Sequence, residues 1–398
     1  MAIEVRVAQE GDREEIWALG QQAFQTTFRE YNEADDLSST PLDRRLVAVD
    51  NGRVIGALRV WELGQYFGGR KVPMGGMAGV AVEAAHRGRG VASQLLRHSL
   101  TAMRERGEVI CTLYPMNHAL YRRHGWEIAG TFPRHLLDLR ALRDLSKPSG
   151  DYTFRRSTED DLATLRQLHE SVVCEEPGNV WYGHDFAARR LLNYRGHQDV
   201  YVAERDGGIV GSITLGRHDA PEGRGSFALE VRNLVAVDLD AELALLHLAG
   251  SYHPVAEVAY VVWPQSYALP LMLGERVMAP HAGGWCWMTR LVDAPGAVAA
   301  RGYPDDVDVE VHLDVVDDLV PENSGPAVLR VKNGQGELYA GGRGDVRLSV
   351  GGFAALYTGW ASPVRLRRLG LLEGAGEAEL RALDRAFISR TPWAREFF

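Results

Sequence analysis

An α/β (α+β) fold in three successive domains is what this 398-residue sequence predicts, and three observations predict it. A stretch near the start returns about 150 residues later; a short strand-like run at Val80–Val82 breaks into a basic, glycine-containing loop before an amphipathic helix; and after about residue 285 the texture changes to alternating strand patterns. The length exceeds one ordinary core, and 45% hydrophobic with 24% charged residues is the composition of a folded globular chain. A net charge of −9 argues against nucleic acid as partner and favours cationic ones.

Along the chain, EVRVAQEGDREEIWAL is echoed by TFRRSTEDDLATLRQL at an offset of 149, so that Arg6 meets Arg155, Asp12 meets Asp161 and Leu19 meets Leu168. Each copy reads as a strand, an acidic N-cap and an amphipathic helix. At an offset of 155, VAVDNGRVIGAL (from Val47) lies on VAERDGGIVGSI (from Val202), and the Asn51-Gly52 and Asp206-Gly207 dipeptides predict tight hairpin turns. The same offset aligns Val80–Glu83 with Val235–Asp238, whereas Tyr114-Pro115 falls on Trp263-Pro264 at 149 again. Six residues are therefore missing from the second copy, where the first carries RGRGV, and Tyr121 falls on Pro270. Beyond residue 285, VDVEVHLDV, an Asn333-Gly334 turn and the helical GEAELRALDRAFIS predict a third, α+β part. The predicted domains are 1–150, 151–284 and 285–398.

The loop after Val82 has the make-up of an anion cradle. A strand running through small residues into a helix leaves backbone N–H groups converging where the helix dipole favours negative charge. Gly88 and Gly90 let a diphosphate approach the backbone, and Arg87 and Arg89 add charge. No Walker loop or dinucleotide fingerprint is present. Cys111, Cys174 and Cys286 form no CxxC and read as buried small residues of a reducing compartment. No leader or membrane-spanning run is apparent, which predicts a cytoplasmic protein, and no metal-ligand signature appears, so no metal is expected.

Arg87-Gly88-Arg89-Gly90-Val91-Ala92 resembles the R/Q-x-x-G-x-G/A motif of GNAT N-acetyltransferases, and NHALYRRHGWE, from Asn117, resembles that family's next segment. The resemblance implies that acetyl-CoA is bound by Val80, Ala81, Val82, Arg87, Gly88, Arg89, Gly90, Val91, Ala92, Ser93, Met116 and Asn117, with Tyr121 as general acid. A second, motif-less copy, a third part similar to sterol carrier proteins and the aromatic ending TPWAREFF together resemble the Eis (enhanced intracellular survival) family. Its members acetylate several amines on aminoglycosides and related polyamines. That resemblance implies two tandem GNAT-like domains before a sterol-carrier-protein-like domain, a homohexamer, and the carboxylate of Phe398 as catalytic base. Candidate substrate contacts are Glu30, Tyr31 and Glu396. A non-catalytic acyl-CoA or lipid-binding sensor is the alternative from another class, and acetylation of protein lysines an alternative substrate; neither membrane nor nucleic acid is expected as a partner.

Overall fold

The computed structural model describes residues 3–24, 40–192, 198–264, 278–279 and 284–398. It divides into two compact units, Met1–Gly130 with Trp287–Pro392 and Phe398, and Thr131–Cys286 with Trp393–Phe397.

In the first unit the chain forms β1 (Glu4–Val7), α1 (Arg13–Phe24), β2 (Arg45–Asp50), β3 (Arg53–Phe67), β4 (Arg70–Val82), α2 (Val91–Glu105), β5 (Ile110–Leu113) and α3 (His118–Arg122). The strands lie in sequence order, antiparallel except for β4 and β5, which are parallel and joined by the crossover helix α2. Val91, Leu95, Leu96, Leu100 and Met103 bury one face of α2, the spacing of an amphipathic helix. Gly56 lies beneath it: a Cβ there would be 2.8 Å from Val91 Cγ1, so the glycine sets how closely helix and sheet approach.

The second unit repeats this plan. After β6 (Glu127–Asp138) and α4 (Leu139–Arg143) come β7 (Thr153–Arg156), α5 (Leu162–Val173), β8 (Val180–Tyr182), α6 (His184–Leu191), β9 (Gln198–Arg205), β10 (Gly208–His218), β11 (Ala228–Ala236), α7 (Leu239–Gly250), β12 (Val258–Val262) and the short β13 (Met278–Ala279). The main order is β7-β9-β10-β11-β12-β6. The parallel pair aligns Leu229–Val231 with Ala259–Val261, which is Met74–Gly76 on Ile110–Thr112 shifted by the two offsets seen in the sequence. Both hairpin dipeptides take positive φ, Asn51 and Gly52 at 52° and 79°, Asp206 and Gly207 at 54° and 78°.

The third part begins with β14 (Gly284–Leu291), whose Met288–Leu291 pair with β5 in the first unit. It continues as α8 (Ala294–Ala300), β15 (Asp308–Val316), β16 (Gly325–Lys332), β17 (Gln335–Ala340), β18 (Val346–Ser349), α9 (Val350–Tyr357), α10 (Pro363–Arg368), β19 (Leu372–Glu373) and α11 (Glu377–Ala386). Its five strands are ordered β17-β16-β15-β18-β19, with Asn333-Gly334 turning β16 into β17. Most of this part belongs to the same compact unit as the first repeat.

Two expectations need correction. The acid expected as an N-cap acts from the third position of a short 3₁₀ turn: Asp12 accepts from the Gln9 N–H at 2.7 Å, and Asp161 from the Thr158 N–H at 2.8 Å, each also bound by Arg6 or Arg155. The three cysteines are all free, but only Cys111 is buried; Cys174 and Cys286 are partly exposed. No described helix is long and apolar enough to cross a membrane.

The Arg155 guanidinium first, then the Thr158 donors, hold the Asp161 carboxyl well below its ordinary 3.8 against the opposing cost of burial. A folded-state value below the unfolded one contributes stability that is fully present above about pH 4 and is lost as the pH falls towards the folded value. Asp161→Asn is expected to destabilise the protein by about 1 kcal/mol at pH 7, a difference that narrows in urea unfolding repeated below pH 4.

Candidate active site

The site starts where β4 leaves β5. Their pairing covers Met74–Gly76 only. Further along, β4 carries a bulge against β3: Ala57 faces Ala81 and Arg59 faces Ala78, which leaves an extra residue at Gly79, with φ +63°. Beyond Gly76, β4 through Val82 stays on β3 but has no described pairing with β5. From Ala78 to Val82, the edge of β4 turned away from β3 therefore has no described strand partner.

Residues 83–90 then carry the chain into α2. Gly88 and Gly90 have φ of 77° and 79°, and a Cβ on either would meet nothing within 4 Å, so the loop is open where a ligand would approach. Arg87 donates from Nε to the Val82 carbonyl at 3.3 Å, and Arg89 is held by Asp50 at 3.2 Å. Gly90, the N-cap of α2, has no side chain to cap with, so the first turn at Val91, Ala92 and Ser93 presents uncapped N–H groups.

The second repeat supplies the contrast. Only residues 237 and 238 separate β11 from α7, and this is where six residues are missing. Asp238 caps α7, accepting from the Ala241 N–H at 2.8 Å while Arg205 holds its other oxygen at 2.7 Å. That helix end is occupied by the chain's own carboxylate. Pro270, the counterpart of Tyr121, lies outside the described residues.

Past β5, exposed Met116 leads to Asn117, whose side chain caps α3 by accepting from the Leu120 N–H at 3.1 Å. The helix closes through Gly125, at φ +86°: Gly125 N–H donates to Arg122 O and Trp126 N–H to Tyr121 O, with the Tyr121 and Trp126 rings in edge contact at 6.2 Å. Tyr121 is buried, and burial first, then the neighbouring Cys111, pushes its phenol up to about 12; burial raises the Cys111 thiol as well. Tyr121 therefore remains a protonated donor at neutral pH.

Phe398 lies beside Gly76, the last residue of β4 paired with β5. Its ring packs edge-on against Tyr114 at 5.5 Å, and a Cβ on Gly76 would come within 3.2 Å of it. In the second unit the Glu396 carboxylate accepts from Tyr182 Oη at 3.0 Å and pairs with Arg190 at 3.1 Å. Glu30 and Tyr31 lie outside the described residues. Sequence reasoning missed Gly76, Tyr114 and Asp50; the Gly75-Gly76 pair inside a strand was the available signal for the first.

Comparison with known proteins gives the class. Residues 4–129 match the acetyltransferase (GNAT) domain family, and residues 294–395 the sterol carrier protein domain family. An uncharacterised N-acetyltransferase of Streptomyces griseus is 28% identical over 386 residues, covering 92% of each chain. A GCN5-related N-acetyltransferase structure from Anabaena variabilis is 25% identical with a TM-score of 0.90, covering both chains in full. The chain is a GNAT-type N-acetyltransferase, a class whose domains use acetyl-CoA. Its fold is shared with Eis1 from Mycobacterium abscessus, at a TM-score of 0.81 and 24% identity over 99% of this chain and 100% of that one, which agrees with the resemblance to Eis.

Proposed function

We propose that this enzyme binds acetyl-CoA in the cleft of the first repeat and transfers the acetyl group to amines of polycationic substrates, aminoglycosides and related polyamines among them, at more than one amine of a substrate. What supports this reading most is the seat of Phe398 beside Gly76 and Tyr114, where β4 parts from β5.

In this proposal the N–H groups of Val91, Ala92 and Ser93, flanked by Arg87 and Arg89, hold the diphosphate, and the exposed backbone of Val80–Val82 aligns the thioester carbonyl. An alkyl amine has a pKa of about 10 and must lose a proton before attack. The Phe398 carboxylate attracts the ammonium, which releases one proton to solvent; as the free amine attacks, the carboxylate stabilises the positive charge that develops on nitrogen and takes its second proton. As the C–S bond breaks, Tyr121 donates its proton to the departing thiolate; the proton held by the carboxylate then passes through solvent to restore the phenol, so that one proton is released overall. The net charge of −9 supports a polycationic substrate without a nucleic-acid partner, and the resemblance to Eis supports a cytoplasmic homohexamer.

CoA release is expected to be at least about tenfold faster with polyamines and aminoglycosides than with monoamines or lysine peptides, and to weaken as salt rises. Preference for monoamines, hydroxyls or peptides would remove the substrate assignment. Adding one glycine after Phe398 moves the terminal charge by roughly 3.5 Å. Turnover should then fall about 100-fold at unchanged acetyl-CoA affinity; parental turnover would take Phe398 out of the mechanism.

A further inference from the structure

The turn that carries Tyr121 is short of its own support. α3 spans five residues, too few to be stable alone, and its Schellman closure leaves the His124 carbonyl without a helical partner. Arg290 of β14 supplies the donor, from Nη1 at 2.8 Å. Its Nη2 binds both oxygens of Asp317 at 2.7 and 2.8 Å, with both side chains 1% exposed. Asp317 is fixed in turn by the Leu319 and Val320 N–H groups and by Asn323 Nδ2. Gly125 leaves the room: a Cβ there would stand 1.7 Å from Arg290 Nη1.

A buried ion pair is poor evidence of stabilisation, because removing two charges from water costs about what their attraction returns. This one instead touches both neighbours of the phenol's turn. One arm of the guanidinium holds the end of α3 at His124, and its carbon lies 5.5 Å from the centroid of Trp126, the ring against which Tyr121 packs. We propose that Arg290, anchored by Asp317, is a positioning residue for Tyr121, setting the phenol's placement for proton donation to the leaving thiolate. This rests on the general-acid role given to Tyr121 above. It also assigns work to the segment after β14: Asp317, beyond that strand, keeps the acid of the first repeat in place.

The test is a double-mutant cycle. Arg290→Lys keeps the charge but replaces the two-armed fork with a single ammonium, and Arg290→Met with Asp317→Leu removes both charges together, avoiding a lone buried carboxylate. Each is made in the parental and Tyr121→Phe backgrounds, with kcat and calorimetric acetyl-CoA affinity measured. We expect kcat to fall about 10- to 100-fold in the parental background at nearly unchanged acetyl-CoA affinity, and no further fall once Tyr121 is Phe. Should Arg290→Lys not fold, the charge-free pair decides alone. Parental kcat, losses that add fully to that of Tyr121→Phe, or loss of acetyl-CoA binding by both variants would overturn the proposal. If Tyr121→Phe itself turns over at the parental rate, the general-acid reading fails, and the positioning proposal with it.

Discussion

The early end of the β4–β5 pairing is the constraint on which the rest of the site depends. Parallel strands ordinarily continue side by side, but here only Met74–Gly76 are paired, and the bulge at Gly79 bends β4 while β3 still holds its other edge. Backbone groups that a longer pairing would have used have no described partner from β5. Because a crossover helix must follow, the chain leaving β4 delivers the start of α2 to the same end of the sheet, so bare strand backbone and uncapped helix amides come from one stretch of chain. Gly76, the last paired residue, also borders the Phe398 ring.

The second repeat differs from the first by only a few residues at the corresponding helix start. It retains the three-residue parallel pairing and a bulge, with Asn233 at φ +44° where the first repeat uses Gly79. What it lacks is the eight-residue loop, and in place of Gly90 it has Asp238. A carboxylate at the N-cap satisfies the helix amides internally and places negative charge where a phosphate would need to sit. Fold is shared between the copies, and the proposed anion site depends on a few loop residues.

Much of this was legible in the sequence. The two offsets, the turn dipeptides and the RGRG loop are local signals, and local signals determine hairpins, helix starts and glycine-dependent loops. An acid at the N-cap and one three positions later give the same sequence motif, and only the hydrogen bonds place Asp12 and Asp161 at the later position. The seat of Phe398 left no local trace, since Gly76, Tyr114 and the chain's last residue are far apart in sequence. Arg290 was detectable in hindsight as the one charge in the otherwise apolar GWCWMTRL, but its partners His124 and Asp317 lie on separate elements. Glu396 was expected at the substrate, yet its burial beside Tyr182 and Arg190 could not be foreseen from its position near the chain end.

The claim that one open helix end distinguishes the two repeats is tested most directly by calorimetric titration of acetyl-CoA into the protein and into Gly90→Asp, which gives α2 the negative charge that α7 already has. One site per chain is predicted for the protein, with affinity at least about tenfold weaker in the variant. Two equivalent sites per chain, or unchanged affinity in Gly90→Asp, would contradict the account.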